Sequence, residues 1–353
     1  FEEVSEMASL PEGVLLGMGN PLLDIQTTVQ KEFLDKWGLK ENDAILCDDK
    51  HVAMFEELAK DYPVEYIPGG ATQNSLRVCQ WMLGVPNRTT FFGAIGNDNY
   101  GKLLEERAKK GGVNAVYQVT EGIKTGTCAA LINNGDKRSL CAHLAAANTF
   151  KEDHIHKPEN WALIQKAQFY YSAGFFLTVC PDALVTVAKE MCAKNRPVLI
   201  NLAAPFISQF FYEPLSKAIF YADYVFGNED EAAAYAKAVN VDASDLRNVV
   251  RHIANLEKAN TKRPRIVIIT QGAEPVLVGY TGEETVKEIS VERIPKEKIV
   301  DTNAAGDAFV GGFLSQLIQG ASVEESVKAG NYAAGVVIQH HGCTFPETSN
   351  YNA

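Results

Sequence analysis

Short apolar runs alternate along the chain with longer amphipathic stretches. Runs such as Thr89–Ile95, Val198–Leu202 and Arg265–Thr270 have the length and composition of buried strands. Stretches such as Thr72–Leu83 and Pro181–Lys194 carry apolar residues at helical spacing. This alternation predicts a parallel sheet covered by helices on both faces. In such sheets ligands bind beyond the carboxyl ends of the strands.

The remaining candidates extend the pattern over most of the chain. Further strands are predicted at Gly13–Gly19, Gln168–Ser172, Tyr224–Phe226 and Val276–Tyr280. Further helices are predicted at Tyr100–Lys110, Glu229–Val239, Ala243–Leu256, Gly306–Gln319 and Val323–His340.

Two regions interrupt the alternation. The first, 24–68, places the strand-like Ala44–Cys47 among charged segments, and the second, 125–144, has two apolar runs around Asn133-Asn134-Gly135-Asp136. Asn-Gly between apolar runs is a strong hairpin signal. We therefore predict a small β-strand lid made from two separate insertions. The predicted lid covers 24–68 and 125–144, and the large α/β domain covers 1–23, 69–124 and 145–353.

Composition narrows the class of protein. At 353 residues, with 46% hydrophobic and 22% charged residues, the chain fits a globular protein with one large domain and a smaller one. A net charge of −11 argues against nucleic-acid binding, because basic residues are too few to neutralise a phosphate backbone. Seven cysteines without Cys-x-x-Cys spacing favour reduced thiols and a cytoplasmic location. We also expect no membrane association, and a monomer.

The segment Asp301-Thr302-Asn303-Ala304-Ala305-Gly306-Asp307 is the most informative stretch of the chain. It runs directly into an apolar helical pattern that contains Gly311-Gly312. Small residues at a helix start leave amide groups open to an anion, and the helix dipole favours negative charge there. Asp307 is out of place beside a phosphate unless it accepts a proton in phosphoryl transfer. An ordinary helix cap explains the polar residues equally well.

Four other segments have the composition of ligand loops at strand ends. They are Gly17–Asp24, Gly69–Ser75, Phe226–Glu231 and Thr270-Gln271-Gly272. Each also has a plain structural explanation: Gly69-Gly70 is a turn signal, and Asn228 with Glu231 has the spacing of a capping box. Together with the segment that ends in Asp307, five such loops favour a ligand site over unrelated turns.

The motifs resemble those of the ribokinase-like (PfkB) carbohydrate kinase family. Asp301–Asp307 is similar to the second signature of that family, Gly69–Asn74 to the first, and Asn228-x-x-Glu231 to its magnesium-associated motif. The resemblance runs from near residue 14 to near residue 347. It implies a Rossmann-like α/β/α sandwich with a small β-strand lid. Within the family, the chain resembles the members that transfer the γ-phosphoryl of ATP to the 5′-hydroxyl of adenosine in purine salvage, with Mg²⁺.

The same resemblance implies roles for particular residues. Asp307 is the catalytic base, Arg138 is the cation that closes onto the phosphates, and the amides of Ala304, Ala305, Gly306 and Asp307 form the anion hole. For the nucleoside, Asp24 holds the ribose hydroxyls and Phe175 and Phe206 flank the adenine; the other nucleoside contacts are Asn20, Gly69, Gly70, Asn74, Cys128, Leu140, Leu144 and Asn303. Contacts to ATP are Asn228, Thr270, Gly272 and Asn331, and the Mg²⁺ residues are Asn228 and Glu231.

Two positions depart from the family pattern. Ala304 stands where the signature usually has Gly, and its methyl group restricts φ at the first residue of the anion hole. We expect modest tuning of activity from this methyl group. Asn331 stands where a His near the adenine of ATP is usual. For Asp307, a helix start and Mg²⁺ predict an ionised carboxylate, which is a weak but sufficient base for a loose transition state.

Two other functions remain open from the sequence. The first is a sugar kinase of the same family, against which Phe175, Phe206 and the apolar lid residues argue, because a bare sugar needs polar walls. The second is a catalytically silent nucleoside-binding protein, against which the joint presence of Asp307, Arg138, Asn228 and Glu231 argues.

Overall fold

Two β-sheets organise the chain in the computed structural model, which describes residues 10–41, 43–133 and 137–351. The strands are β1 (Leu15–Met18), β2 (Leu22–Thr28), β3 (Ala44–Leu46), β4 (Glu65–Gly69), β5 (Thr89–Gly96), β6 (Asn114–Thr120), β7 (Thr127–Asn133), β8 (Lys137–His143), β9 (Phe169–Ala173), β10 (Val198–Asn201), β11 (Tyr224–Asn228), β12 (Ile266–Gln271), β13 (Glu274–Tyr280) and β14 (Lys287–Ile289).

Helices connect and cover these strands. Within the described residues they are α1 (Lys31–Trp37), α2 (Asp49–Asp61), α3 (Ala71–Leu83), α4 (Asn99–Lys110), α5 (Asp153–His156), α6 (Pro158–Lys166), α7 (Pro181–Ala193), α8 (Pro205–Phe210), α9 (Tyr212–Tyr221), α10 (Glu229–Val239), α11 (Leu246–Ala254), α12 (Ala305–Leu317) and α13 (Val323–Val337). Short 3₁₀ turns lie at Ala145–Thr149, Gly174–Thr178 and Lys296–Lys298.

The larger sheet has nine strands in the order β14-β13-β12-β11-β10-β9-β1-β5-β6. Pairing is parallel from β12 to β6, whereas β13 and β14 add to the edge in antiparallel hairpins. Neighbouring residues of one strand face opposite sides, so Leu15 packs in one core cluster and Leu16 in the other. Helices such as α7 cover the face to which Leu16 points, and α3 and α12 cover the face of Leu15, which gives the predicted three-layer α/β/α arrangement.

The smaller sheet has five strands in the order β3-β8-β7-β2-β4. β7 and β8 pair antiparallel, from Asn133 opposite Lys137 to Thr127 opposite His143. The predicted turn residues 134–136 lie outside the described residues. This sheet, with α1 and α2 packed on its outer side around Phe33, Met54 and Leu58, is called the lid below. Its strands come from residues 22–69 and 127–143. The predicted domain boundaries stay a prediction.

Sequence patterning missed several elements of the lid. The segment that ends in Asp24 was expected to be a loop leaving β1, but Asp24 lies within β2, paired with Ile67 of β4 and Cys128 of β7. β4 escaped notice because it is short and contains Pro68, which usually argues against a strand. No helix in the described part of the chain is long and apolar enough to cross a bilayer.

Candidate functional site

A cavity of about 650 Å³ lies between the lid and the carboxyl ends of β1, β9, β10 and β11. It is lined from both sides, by loop and helix-start residues of the large sheet and by side chains of β2, β7 and β8. The predicted site residues that line it are Asn20, Asp24, Gly70, Asn74, Cys128, Arg138, Leu140, Leu144, Phe175, Phe206, Asn228, Glu231, Asn303, Ala304, Ala305, Gly306 and Asp307. Residues far apart in sequence therefore face a single space.

The start of α12 forms one end of this cavity. Ala304 precedes the helix in the left-handed conformation, with φ 60° and ψ 7°. The first i to i−4 hydrogen bond of the helix runs from the Ala308 amide to the Ala304 carbonyl (2.8 Å), so the amides of Gly306 and Asp307 precede the intrahelical ladder. A Cβ atom on Gly306 would meet open space. This turn presents amide groups and a positive helix end to the cavity, which is the arrangement that binds anions.

Asp307 lies in the first turn of α12, and Asn74 holds its carboxylate. The Asn74 Nδ2 group donates to Asp307 Oδ2 at 3.0 Å. Although Asp307 is only partly buried, desolvation raises its pKa to about 7, and the hydrogen bond from Asn74 opposes the shift only in part. Burial thus opposes the expected ionisation of Asp307, and the expectation that the helix start and Mg²⁺ keep it ionised stays a prediction. Near neutral pH its carboxylate is poised to exchange a proton.

Asp24 is the second buried carboxyl group of the cavity, with 8% of its surface exposed. Burial raises its pKa to about 7, and repulsion from Asp307 and Asp301 adds to the shift. Gly69 lets β4 approach this side chain, because a Cβ there would overlap the Asp24 carboxylate. Gly70 has φ +93°, and a Cβ would overlap the Asn20 carbonyl. The two glycines are thus needed for backbone to pass close to Asp24 and Asn20.

Two aromatic side chains, Phe175 and Phe206, form another part of the cavity wall. The rings of Phe175 and Phe206 have centroids 6.0 Å apart and an interplanar angle of 44°. Asn20 Nδ2 donates to the Phe175 carbonyl (3.2 Å), while Asn20 Oδ1 is buried without a hydrogen-bond partner in the described part of the chain. An acceptor left unsatisfied at a cavity wall is expected to receive a ligand N–H or O–H group.

Asn228 and Glu231 form the capping box that their spacing allowed. The Asn228 amide donates to Glu231 Oε2 (3.0 Å), and the Glu231 amide donates to Asn228 Oδ1 (2.8 Å). Both residues also line the cavity, so capping and ligand binding are compatible. Burial raises the pKa of Glu231 to about 7 despite the hydrogen bond from the Asn228 amide. A bound cation would favour the charged form of this carboxylate.

Arg138 reaches the cavity from β8 of the lid with only 7% of its surface exposed. Its guanidinium forms an ion pair with Asp301, at the start of the segment that leads into α12. Burial lowers the pKa of Arg138, and the Asp301 charge opposes that shift. The predicted lid cation is therefore present at the cavity and attached to the anion-binding segment.

Four predicted residues do not line this cavity. Gly69 lies behind Asp24, as described above. Thr270 pairs with Asn228 at the end of β12, and its hydroxyl donates to the Gly227 carbonyl (3.4 Å). Gly272 turns the chain between β12 and β13 with φ +58°, and Asn331 on α13 donates to the Ser290 carbonyl (3.4 Å). The assignment of Thr270, Gly272 and Asn331 to ATP stays a prediction.

Some cavity residues were not singled out from the sequence. Thr72 lines the cavity and accepts a hydrogen bond from the Ala173 amide (3.0 Å), which ties α3 to the end of β9. Asn201 accepts one from Ala203 (2.9 Å), and Ala203 has φ 72°. Strained backbone at Ala203 and Ala304 in one cavity is typical of a functional site. Thr72 and Asn201 lie within segments that the family resemblance singles out. Their own side chains, a hydroxyl and an amide, are of the kind found in ordinary turns, so the sequence did not mark them as ligand contacts.

The chain belongs to the pfkB family of carbohydrate kinases: the pfkB family carbohydrate kinase model matches residues 31–350. Among named relatives, adenosine kinase 2 of Arabidopsis thaliana is 50% identical over 97% of this chain and 98% of its own length. The adenosine kinase of Dictyostelium discoideum is 42% identical over 94% of this chain and 96% of its own length.

Solved structures agree with this membership. The Anopheles gambiae adenosine kinase in complex with P1,P4-di(adenosine-5) tetraphosphate superposes with a TM-score of 0.95 at 48% identity, over 97% of this chain and 100% of that one. The adenosine kinase from Schistosoma mansoni in complex with 2-fluoroadenosine gives a TM-score of 0.93 at 35% identity, over 96% and 98% of the two chains. The predicted fold class and family are confirmed.

Proposed function

We propose that this chain is an ATP-dependent nucleoside kinase that transfers the γ-phosphoryl group of ATP to the 5′-hydroxyl of adenosine, giving AMP and ADP. The observation that carries the proposal is the position of Asp307. Its carboxylate lies in the first turn of α12, beside the free amides of that turn and in the same cavity as Asp24. The adenosine kinases of Arabidopsis thaliana and Anopheles gambiae are similar to it over nearly the full length.

The part of the cavity that Asp24, Phe175 and Phe206 line suits a nucleoside better than a bare sugar. The Asp24 carboxylate can accept hydrogen bonds from both hydroxyls of a ribose, and such bonds to a charged acceptor are strong. Phe175 and Phe206 offer ring faces or edges to a purine, and Asn20, whose buried Oδ1 acceptor is unsatisfied, lines the same cavity. Base–aromatic stacking contributes roughly 1–3 kcal/mol per base. An apolar slot of this kind gives a sugar no hydrogen bonds.

The part of the cavity next to the start of α12 suits the transferring phosphoryl group. Amides of the first turn point toward the cavity, and Arg138 supplies positive charge from the lid. Because phosphoryl transfer has a loose transition state, positioning and charge stabilisation do most of the catalytic work. Asp307 accepts the 5′-hydroxyl proton as the O5′–Pγ bond forms and the bond from Pγ to the bridging oxygen of ADP breaks. Asn74 fixes the orientation of that carboxylate.

The carboxylate of Glu231 and the amide oxygen of Asn228 are ligands of the kind that Mg²⁺ accepts. Both are engaged in the capping box, which favours contact through water molecules rather than direct coordination. When bound with ATP, Mg²⁺ neutralises phosphate charge. In a chain of net charge −11 such local compensation is needed.

Initial rates with ATP test the proposal, measured over adenosine, guanosine, deoxyadenosine, ribose and fructose, with and without Mg²⁺. We expect adenosine to be the best substrate and its phosphorylation to require Mg²⁺. Faster phosphorylation of ribose or fructose would make the chain a sugar kinase. If adenosine binds but ADP never forms, the chain is a silent nucleoside-binding protein.

Three further expectations accompany the proposed reaction: the cellular location, the metabolic role and the oligomeric state. A cytoplasmic location is supported by seven free cysteines, purine salvage by the reaction itself, and a monomer by a cavity whose lining comes from a single chain. Sedimentation of the purified protein at micromolar concentration tests the last of these.

A further inference from the structure

Three side chains with metal-binding atoms meet on the lid, away from the residues that the proposed reaction uses. Cys47 follows β3, Cys141 lies within β8, and His51 lies in the first turn of α2. One ligand atom from each lies within 4.8 Å of the other two. Two thiolates on a tetrahedral zinc ion lie roughly 3.8 Å apart, given Zn–S bonds near 2.3 Å. The three ligand atoms are therefore close to the spacing that a single ion requires.

The tautomer of His51 is the one that a metal needs, but its Nδ1 lone pair already accepts the Asp48 amide, which a bound ion would displace. Its Nε2 atom contacts the Trp37 carbonyl at 3.0 Å, and its Nδ1 atom accepts the Asp48 amide at 3.0 Å. Nε2 therefore carries the proton and Nδ1 the lone pair. A metal-binding histidine usually donates its other ring N–H to a carbonyl or carboxylate in this way. A purely structural capping role uses the same two bonds, but it does not explain the two thiols beside the ring.

The surroundings of the two sulfur atoms also suit a cation. Cys141 is fully buried in the small apolar core of the lid, whereas Cys47 is partly exposed and gives access from solvent. Burial and the nearby carboxylates of Asp48 and Asp49 raise the pKa of the Cys47 thiol. Those carboxylates disfavour a bare thiolate, but they attract a divalent cation that displaces the thiol protons.

From this geometry we propose that Cys47, His51 and Cys141 form a binding site for a thiophilic divalent cation such as Zn²⁺, with water as the fourth ligand. Cysteine and histidine ligands select zinc over Mg²⁺, which prefers oxygen. The site joins β3, β8 and α2. Leu46, Leu140 and Ala142, the immediate neighbours of the two cysteines, line the substrate cavity. A bound ion would therefore fix the outer edge of the cavity wall.

Cobalt absorption tests the site directly, because it reports the ligands without any activity measurement. The reduced, metal-free full chain is titrated with Co²⁺ in excess Mg²⁺, and Zn²⁺ is then added. We expect one Co²⁺ per chain with sulfur-to-cobalt charge-transfer absorption, abolished by Zn²⁺. A Cys47→Ser/Cys141→Ser double variant should lose the absorption. A matched Cys180→Ser/Cys192→Ser variant, which removes two other partly exposed thiols, should keep it.

Two more measurements cover the case in which a cysteine variant fails to fold. His51→Gln should keep charge-transfer absorption but bind at least about tenfold more weakly. In the unmodified chain, Zn²⁺ should protect Cys47 but not Cys192 from iodoacetamide, as mapped by mass spectrometry. Cobalt spectra without charge transfer, equal affinity in the two double variants, or equal alkylation of Cys47 with and without Zn²⁺ would each overturn the proposal.

Discussion

Arg138 on a lid strand and Asp301 at the entry to α12 form an ion pair across the two parts of the cavity. The Asp301 carboxylate also accepts the amides of Asn303 and Gly342, each at 2.6 Å. One buried carboxylate thus joins the lid arginine, the anion-binding segment and the chain that follows α13. The pair holds the proposed phosphate-binding cation beside the amides with which it would act.

Replacing Asp301 should therefore lower the free energy of unfolding of the protein as well as its catalytic rate. Asp301→Asn leaves the buried Arg138 charge without its carboxylate, and breaking such a pair usually costs about 3–5 kcal/mol. The measurement is the free energy of unfolding in urea. Glu274→Gln is the matched control, because Glu274 pairs with Arg293 at the surface and such pairs contribute only about 0–1 kcal/mol. Equal changes in the free energy of unfolding for the two substitutions would show that the Asp301–Arg138 pair contributes no more to stability than a surface ion pair.

Phe206 should contribute to adenosine binding rather than to chemistry. Loss of one stacking partner in Phe206→Leu is expected to raise KM for adenosine roughly 5- to 150-fold, with kcat changed little. Steady-state kinetics at saturating ATP measure both constants. Phe210→Leu is the control, because Phe210 lies on the same helix but is 76% exposed. The assignment fails if both variants raise KM equally, or if Phe206→Leu lowers kcat alone.

The acid limb of the pH profile should lie near neutrality. Since burial raises the pKa of both Asp307 and Asp24 to about 7, kcat/KM for adenosine at subsaturating ATP, which reports the free enzyme, should rise with pH and level off above about 7. In kcat, which reports the ternary complex, Mg²⁺ near the carboxylate should move this limb to lower pH. A kcat/KM limb near pH 4 would mean that Asp307 is already ionised in the free enzyme.

The same shift has a consequence for stability. A carboxyl group whose pKa is raised on folding binds its proton more tightly in the folded state, so its contribution is most favourable below the unfolded pKa of 3.8 and declines up to about pH 7. Asp307→Asn should therefore raise the free energy of unfolding of the unliganded protein at pH 8 but not at pH 4. Urea titrations at these two pH values check this, and a gain of equal size at both would contradict it.

Ala304 should store backbone strain. A non-glycine residue in the left-handed region costs roughly 1–2 kcal/mol, part of which is offset by the lower chain entropy of unfolded Ala compared with Gly. Ala304→Gly should therefore stabilise the protein by about 1 kcal/mol and change kcat less than tenfold. Ala305→Gly, one residue on and inside the helix, should destabilise it by a similar amount. If both substitutions destabilise, Ala304 is not strained.

Sequence patterning located most elements of the large sheet and its helices. Thr89–Ile95 and Glu229–Val239, for example, differ from β5 and α10 by at most one residue. Buried parallel strands are short apolar runs bounded by turns, so their signal is local. The lid was harder, because β4 is partly exposed and both β2 and β4 depend for their stability on pairing with other strands of the lid.

Some features of the site were likewise predictable from the sequence and others were not. Asp307 was recognisable because a carboxylate beside small residues at a helix start is conspicuous, and Asp24 was recognisable from the resemblance of its segment to the family, although its place within β2 was not. The Arg138–Asp301 pair was not predictable, because it joins residues 163 positions apart whose contact exists only after the two sheets come together. The raised pKa of Asp307 was also out of reach, because desolvation depends on what surrounds the carboxylate in three dimensions.

The central claim is that Asp307 removes the proton from the 5′-hydroxyl of adenosine. Its most direct test is the rate of AMP formation by Asp307→Asn at saturating ATP and Mg²⁺, with adenosine affinity measured on the same sample by calorimetry. We predict a fall in kcat of roughly 10²–10⁴-fold with nearly unchanged adenosine affinity, whereas Asp43→Asn at the exposed rim of the cavity keeps full activity. A variant Asp307→Asn that turns over at the wild-type rate would contradict the account.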